Sequence, residues 1–163
     1  MGNKTNVGTV IVNPHYVARL LGVVALARDL DQQDDFFDSI DFINNAHVSI
    51  LVEELIQPEY FRMTEECRHV TKESLRYLIN SVPGDAVSQL CDMTGLPEER
   101  IPIFLRQIWQ TLFKGEHDAL SPGVKYSKST APLRFDQVRF AESPSRSLEA
   151  SLDALRARWN KAS

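Results

Sequence analysis

Apolar positions along this chain recur mostly at spacings of three and four, the signature of helices with one buried face. After a short β-branched run, Thr9-Val10-Ile11-Val12, Asn13-Pro14 gives a helix start, with Asn as cap and Pro in the first turn. The spacing of Val17, Leu20, Leu21, Val24 and Ala27 predicts a first helix over 15–30 with a broad apolar arc. A second helix is predicted over 36–57. Its stripe runs Phe36, Ile40, Ile43, His47, Ile50/Leu51 and Leu55, and Pro58 ends it. These two read as an antiparallel hairpin, with His47 as a hydrogen-bonded core histidine. A third helix over 59–70 offers Tyr60, Phe61, Met63 and Cys67 to the core, and a fourth over 72–80, capped by Thr71, buries Leu75, Leu78 and Ile79.

The stretch 86–114 organises the rest. A short helix carries Leu90 and the small Cys91, the chain turns at Thr94-Gly95-Leu96, and a longer helix follows. Gly95 sits where positive φ is expected. Pro97 suits a first helical turn, and Glu98 and Glu99 suit the positive end of its dipole. Ile101, Phe104, Leu105, Ile108, Leu112 and Phe113 form one face. Pro102 confines 97–101 to a single distorted turn. This layout, with its small residue followed by TGLP and spaced aliphatics, resembles the helix-turn-helix of winged-helix bacterial regulators over residues 71–114. The resemblance implies a DNA-binding transcriptional regulator that dimerises through a helix outside the motif. Arg100, Arg106, Lys114, Lys72 and Arg76 would then contact the phosphates of double-stranded DNA.

Charge pulls the other way. Residues 71–114 carry five basic and five acidic side chains, without the basic excess of a duplex-binding face. The alternative is a non-enzymatic protein-interaction module, an adaptor, inhibitor or assembly factor, in which the helix-turn-helix is scaffold. The whole chain has a net charge of −4, but residues 121–163 carry eight basic and four acidic side chains. Such a basic tail points to an acidic partner, this protein's own body among the options.

Beyond 115 the composition turns to Ser, Pro, Lys and Arg. Val124-Lys125-Tyr126, Leu133-Arg134-Phe135 and Val138-Arg139-Phe140 alternate at period two, as a short β-hairpin wing or an extended strap would. Leu148, Leu152, Leu155 and Trp159 then fall at 4-3-4 spacing on a C-terminal amphipathic helix. That seam favours self-association, so a homo-oligomer is expected. The expected fold is mainly α. A helical bundle occupies 1–118, a linker or wing 119–146, and the last helix 147–163.

Chemistry is sparse. The aspartates at 29, 31, 34, 35, 38 and 41 fail the calcium-loop pattern, with Asp34 where Gly is required and Ile40 where Glu is required. Glu66-x-x-His69 is half of a di-iron motif, and Cys67 and His69 point to different sides of a helix. Glycine-rich phosphate loops and nucleophile elbows are missing from the sequence. The expectation is no enzyme, no metal and no cofactor. The cysteines Cys67 and Cys91 read as reduced thiols of a cytoplasmic protein, and no apolar run suggests a membrane span.

Overall fold

The computed structural model describes residues 8–31, 36–81, 85–134 and 136–162. Helices dominate, beside one short two-stranded sheet. Strand β1 (Thr9–Val12) leads into helix α1 (Pro14–Leu30), whose start is set by Asn13. The Asn13 side chain accepts from the His15 N–H at 3.0 Å, its own N–H donates to Ser74 Oγ, and its Nδ2 donates to the Ala131 oxygen. One capping residue thus ties α1 to two distant segments.

The second helix differs from the expected span of 36–57. Phe37–Ser39 is a single 3-10 turn, and helix α2 (Asn45–Leu51) begins only after Asn44. Asp41 accepts from the Ile43 N–H, and Asn44 accepts from the N–H groups of Ala46 and His47. These side chains capture backbone donors locally and hold off the helix until Asn44 can cap it. Nor does Pro58 end the helix. The chain passes through a π-helical segment, Val52–Ile56, into α3 (Gln57–Arg62). Proline cannot donate, and the wider turn puts the Gln57 N–H on the Val52 oxygen.

A break at Met63-Thr64 separates α3 from α4 (Glu65–Asn80). Thr64 is the cap, accepting from the Cys67 N–H. Thr71, expected as a cap, lies inside α4, where its hydroxyl donates to the Cys67 oxygen at 2.7 Å. The expected third and fourth helices are therefore divided elsewhere: 59–62 closes the previous helix, and 65–80 is continuous.

Helix α5 (Asp85–Thr94) ends at Gly95, which has φ of +71° and donates its N–H to the Cys91 oxygen at 2.8 Å. A 3-10 turn, Glu98–Arg100, precedes α6 (Ile101–Leu112). Pro102 falls in the first turn of α6, where the missing donor has no partner to lose. The helix proper starts there rather than at Pro97. One face of α6 is enclosed. Ile101, Phe104, Leu105, Ile108 and Trp109 are all buried, and α2, α4 and the π-helical segment pack around them.

Strand β2 (Lys125–Lys128) runs parallel to β1, with Thr9 opposite Lys125 and Val12 opposite Lys128. The region near 123–140 is thus a strap: its strand pairs with the chain's beginning, and an isolated bridge joins Phe140 to Met63. Among the described residues it forms no hairpin of its own. Helix α7 (Leu148–Ala162) completes the fold. Of the residues singled out in the sequence, Asp34, Asp35 and Phe135 lie outside the described ones. No helix of the described residues is long and apolar enough to cross a membrane.

Candidate binding groove and the placement of the expected site residues

Three of the cations expected to meet phosphate are engaged within the chain. Lys72 Nζ lies 2.5 Å from Glu116 Oε2 and over the rings of Phe113 and Trp109. Arg76 is 8% exposed. Its guanidinium stacks on Trp109, donates to Ser121 Oγ at 2.8 Å and faces Glu73 at 3.7 Å. Arg106 Nε lies 2.9 Å from Asp118 Oδ2. Each of these cations has its own carboxylate, so the neighbourhood carries no local positive excess. Arg100 and Lys114 are exposed and make no ion pair among the described residues. They sit just outside opposite ends of α6, about 20 Å apart along its axis.

The expected interface stripe, Leu148, Leu152, Leu155 and Trp159, turns inward. Leu155 is fully buried, Leu152 and Trp159 nearly so, and Leu148 packs partly against the same core. The Trp159 ring meets Phe36 edge-on at 5.3 Å and lies 4.0 Å from the His47 ring. His47 Nδ1 accepts from the Asp41 N–H at 3.0 Å, which fixes the ring under the indole. The stripe expected to meet a second copy thus lies against the chain's own body, as an intramolecular strap.

Arginines reinforce that strap. Arg158 Nη1 lies 2.8 Å from Glu53 Oε2 and 3.1 Å from Glu54 Oε1, Arg146 binds Glu54, and Arg156 pairs with the buried carboxylate of Asp31. Burial alone would raise the Glu54 carboxyl, but the hydrogen bonds from Arg146 and Arg158 outweigh it and hold it below its ordinary value.

Nothing nucleophilic stands out. Burial raises the Cys91 thiol, and Glu98, Asp92 and Glu99 raise it further, so little thiolate forms at neutral pH. Cys67 is buried and accepts the Arg139 N–H at 3.3 Å. The Tyr60 phenol is pushed up to about 12 by burial and donates to the Arg68 oxygen. Among the described residues no group of three His, Cys, Asp or Glu side chains is placed to hold a metal ion.

One concave feature is a groove of about 660 Å³ between α1, α3 and the segment 140–151. Val23, Leu55 and Pro58 line it, with Phe61 and Phe140. On α1 the residues Arg19, Gly22, Val23 and Leu26 follow one another at helical spacing and so share one wall. Leu26 is 58% exposed and Phe61 47%, although both are large and apolar. Arg62 stacks on Phe140 at 3.7 Å and is held in a fork by both Glu59 oxygens, at 2.9 and 3.0 Å. Arg146 at the other wall is bound to Glu54. Arg19 makes no ion pair among the described residues.

Leu26 falls off the buried stripe of α1, and Phe61, expected in the core beside Tyr60 and Met63, is instead half exposed at the groove. The signals in the sequence were the off-stripe Leu26 and the glycine inside a helical pattern at position 22. Comparison of the chain with family models, with curated proteins and with solved structures finds no match.

Proposed function

We propose that this chain is a non-enzymatic protein-interaction module in which the helix-turn-helix is internal scaffold. The observation that carries the reading is the pairing of the cations expected to meet phosphate. A recognition helix needs a basic face toward the duplex. α6 keeps an exposed stripe at Ile103, Arg106 and Gln110, but Arg106 is paired with Asp118, and Lys72 and Arg76 beside it are paired with Glu116 and Glu73. The working surface is instead the face bearing Leu26 and Phe61, where two large apolar side chains stand exposed beside a groove. The DNA-regulator reading keeps the turn geometry at Gly95 as its support, but of its five expected cations Arg100 and Lys114 alone make no ion pair among the described residues.

The experiment has two arms. Titration of a labelled random duplex at 50 and 200 mM salt should show no saturable binding. Binding that weakens steeply with salt, and that Arg100→Ala and Arg106→Ala each diminish, would instead establish the regulator. Affinity capture should in parallel recover a partner saturably with wild type and lose it with Leu26→Glu and Phe61→Glu. Capture insensitive to both substitutions would remove this face from the function.

A further inference from the structure

Gly22 sits in the middle of α1, where glycine destabilises a helix by about 1 kcal/mol relative to alanine. Such a residue is usually kept because a neighbour presses on it. Here none does: no heavy atom lies within 4 Å of where a Cβ on Gly22 would sit. The fold therefore does not require the glycine. What its missing side chain leaves open is the groove wall between Arg19 and Leu26.

The polar groups of the groove narrow its occupant. Ser143, Ser145, Ser151 and Glu142 line it together with the apolar residues. A bare alkyl chain would strip water from these groups and return no hydrogen bonds. A peptide offers N–H and C=O groups to the serines and to the irregular backbone over 141–147, while its apolar side chains enter beside Gly22, Val23 and Phe61. The volume is that of a site for a short segment rather than for a whole helix. Of the cations in the lining, Arg62 is committed to Glu59 and Arg146 to Glu54, which leaves Arg19. A guanidinium fork matches a carboxylate.

We propose that the groove captures the C-terminal apolar residues of a partner protein. Their side chains lie against Gly22 and Leu26, and the terminal carboxylate meets Arg19. This rests on the protein-interaction reading and names its partner's chemistry. Glu142, which makes no ion pair among the described residues, opposes the incoming charge from the other wall.

The test is calorimetric titration of the full chain with four N-acetylated tetrapeptides, Ala-Leu-Ala followed by Leu, Ile, Val or Phe. Each is made as the free acid and as the C-terminal amide, and decanoate serves as the lipid comparison. At least one free acid should bind saturably at one site, its amide about threefold to fivefold more weakly, as an exposed ion pair implies. Arg19→Gln should bring acid and amide to the same affinity, and Glu142→Gln should strengthen the acid. Gly22→Leu fills the wall, and displacing even two methylenes costs about tenfold or more in affinity. Leu26→Gln, at a position too exposed to unfold the protein, should weaken binding as well. No saturable binding by any of the four acids overturns the proposal. So does binding unchanged by both Gly22→Leu and Leu26→Gln, or decanoate binding more tightly than every peptide. If the peptides fail while capture still depends on Leu26 and Phe61, the occupant is wrong and the interaction face stands.

Discussion

Arg146 Nη2 reaches 3.2 Å to the backbone oxygen of Glu54, the acceptor that Pro58, four residues on, cannot serve. In an α-helix that oxygen would take the N–H of residue 58. The proline removes the donor, the helix widens over Val52–Ile56, and the tail's arginine takes the vacant position. The same guanidinium holds the Glu54 carboxylate at 2.5 Å and Ser151 Oγ at 3.0 Å. A local defect in one helix is thereby made good by the segment that leads into α7.

Arg146→Ala should consequently cost more than an ordinary surface arginine. It removes one guanidinium from a carbonyl and a carboxylate together, leaving the carboxylate to Arg158, and about 1–3 kcal/mol is expected from hydrogen bonds to charged groups. Urea unfolding measures this. A midpoint unchanged from wild type would mean that water replaces the guanidinium without loss.

Removing residues 144–163 uncovers the sites of Leu155 and Trp159 and releases Asp31, Glu53 and Glu54 from their partners. The truncated chain should melt far below wild type and keep the same oligomeric state in light scattering. Trp159→Ala should act in the same direction, by about 3–5 kcal/mol. Halving of the mass without loss of melting temperature would restore the self-association seam.

Acid should loosen the strap. Glu54 titrates below its ordinary value near 4.5 when folded, so the folded state prefers the charged form. The stabilisation is complete above that ordinary value and is lost as pH falls through the lowered one. Urea midpoints taken between pH 7 and pH 3 should therefore fall more steeply on the acid side for wild type than for Glu54→Gln, which starts lower at pH 7. Parallel curves for the two proteins would show that Glu54 contributes nothing through its charge.

Gly95→Val tests the turn. At φ of +71° a β-branched residue costs about 1–2 kcal/mol or more. Thermal unfolding should shift down by about 2–4 °C for each kcal/mol in a domain of this size. A melting temperature equal to wild type would place Gly95 in another conformation.

What sequence could show was set by locality. Asn13 as a cap, the turn at Gly95 and the apolar face of α6 follow from neighbours a few residues apart, and the structure has each where the spacing puts it. The basic tail's link to an acidic body was readable as charge asymmetry, and Arg146, Arg156 and Arg158 now give it geometry. Boundaries decided by competition between side chains and backbone were not readable. Asn44 and Asp41 delay α2, Thr64 displaces Thr71 as a cap, and the π-helical segment lets a helix pass Pro58. The role of the 4-3-4 leucine seam was equally closed to sequence, because periodicity fixes a face but not what lies against it. The groove needs α1, α3 and 140–151 together, and no local pattern joins them.

The parallel pairing of β1 with β2 carries a further consequence, for the order in which the molecule assembles. Its two strands are separated by most of the chain, so the loop they close includes the whole helical body. Closing such a loop early is entropically unfavourable, whereas helix pairs joined by short turns form at little cost. The sheet is therefore a late event. The amides of Lys125 and Ser129, donating to the oxygens of Gly8 and Val12, become protected from solvent exchange only when the body between them is already in place. In a pulse-labelling experiment these two amides would act as a clock for completion of the fold.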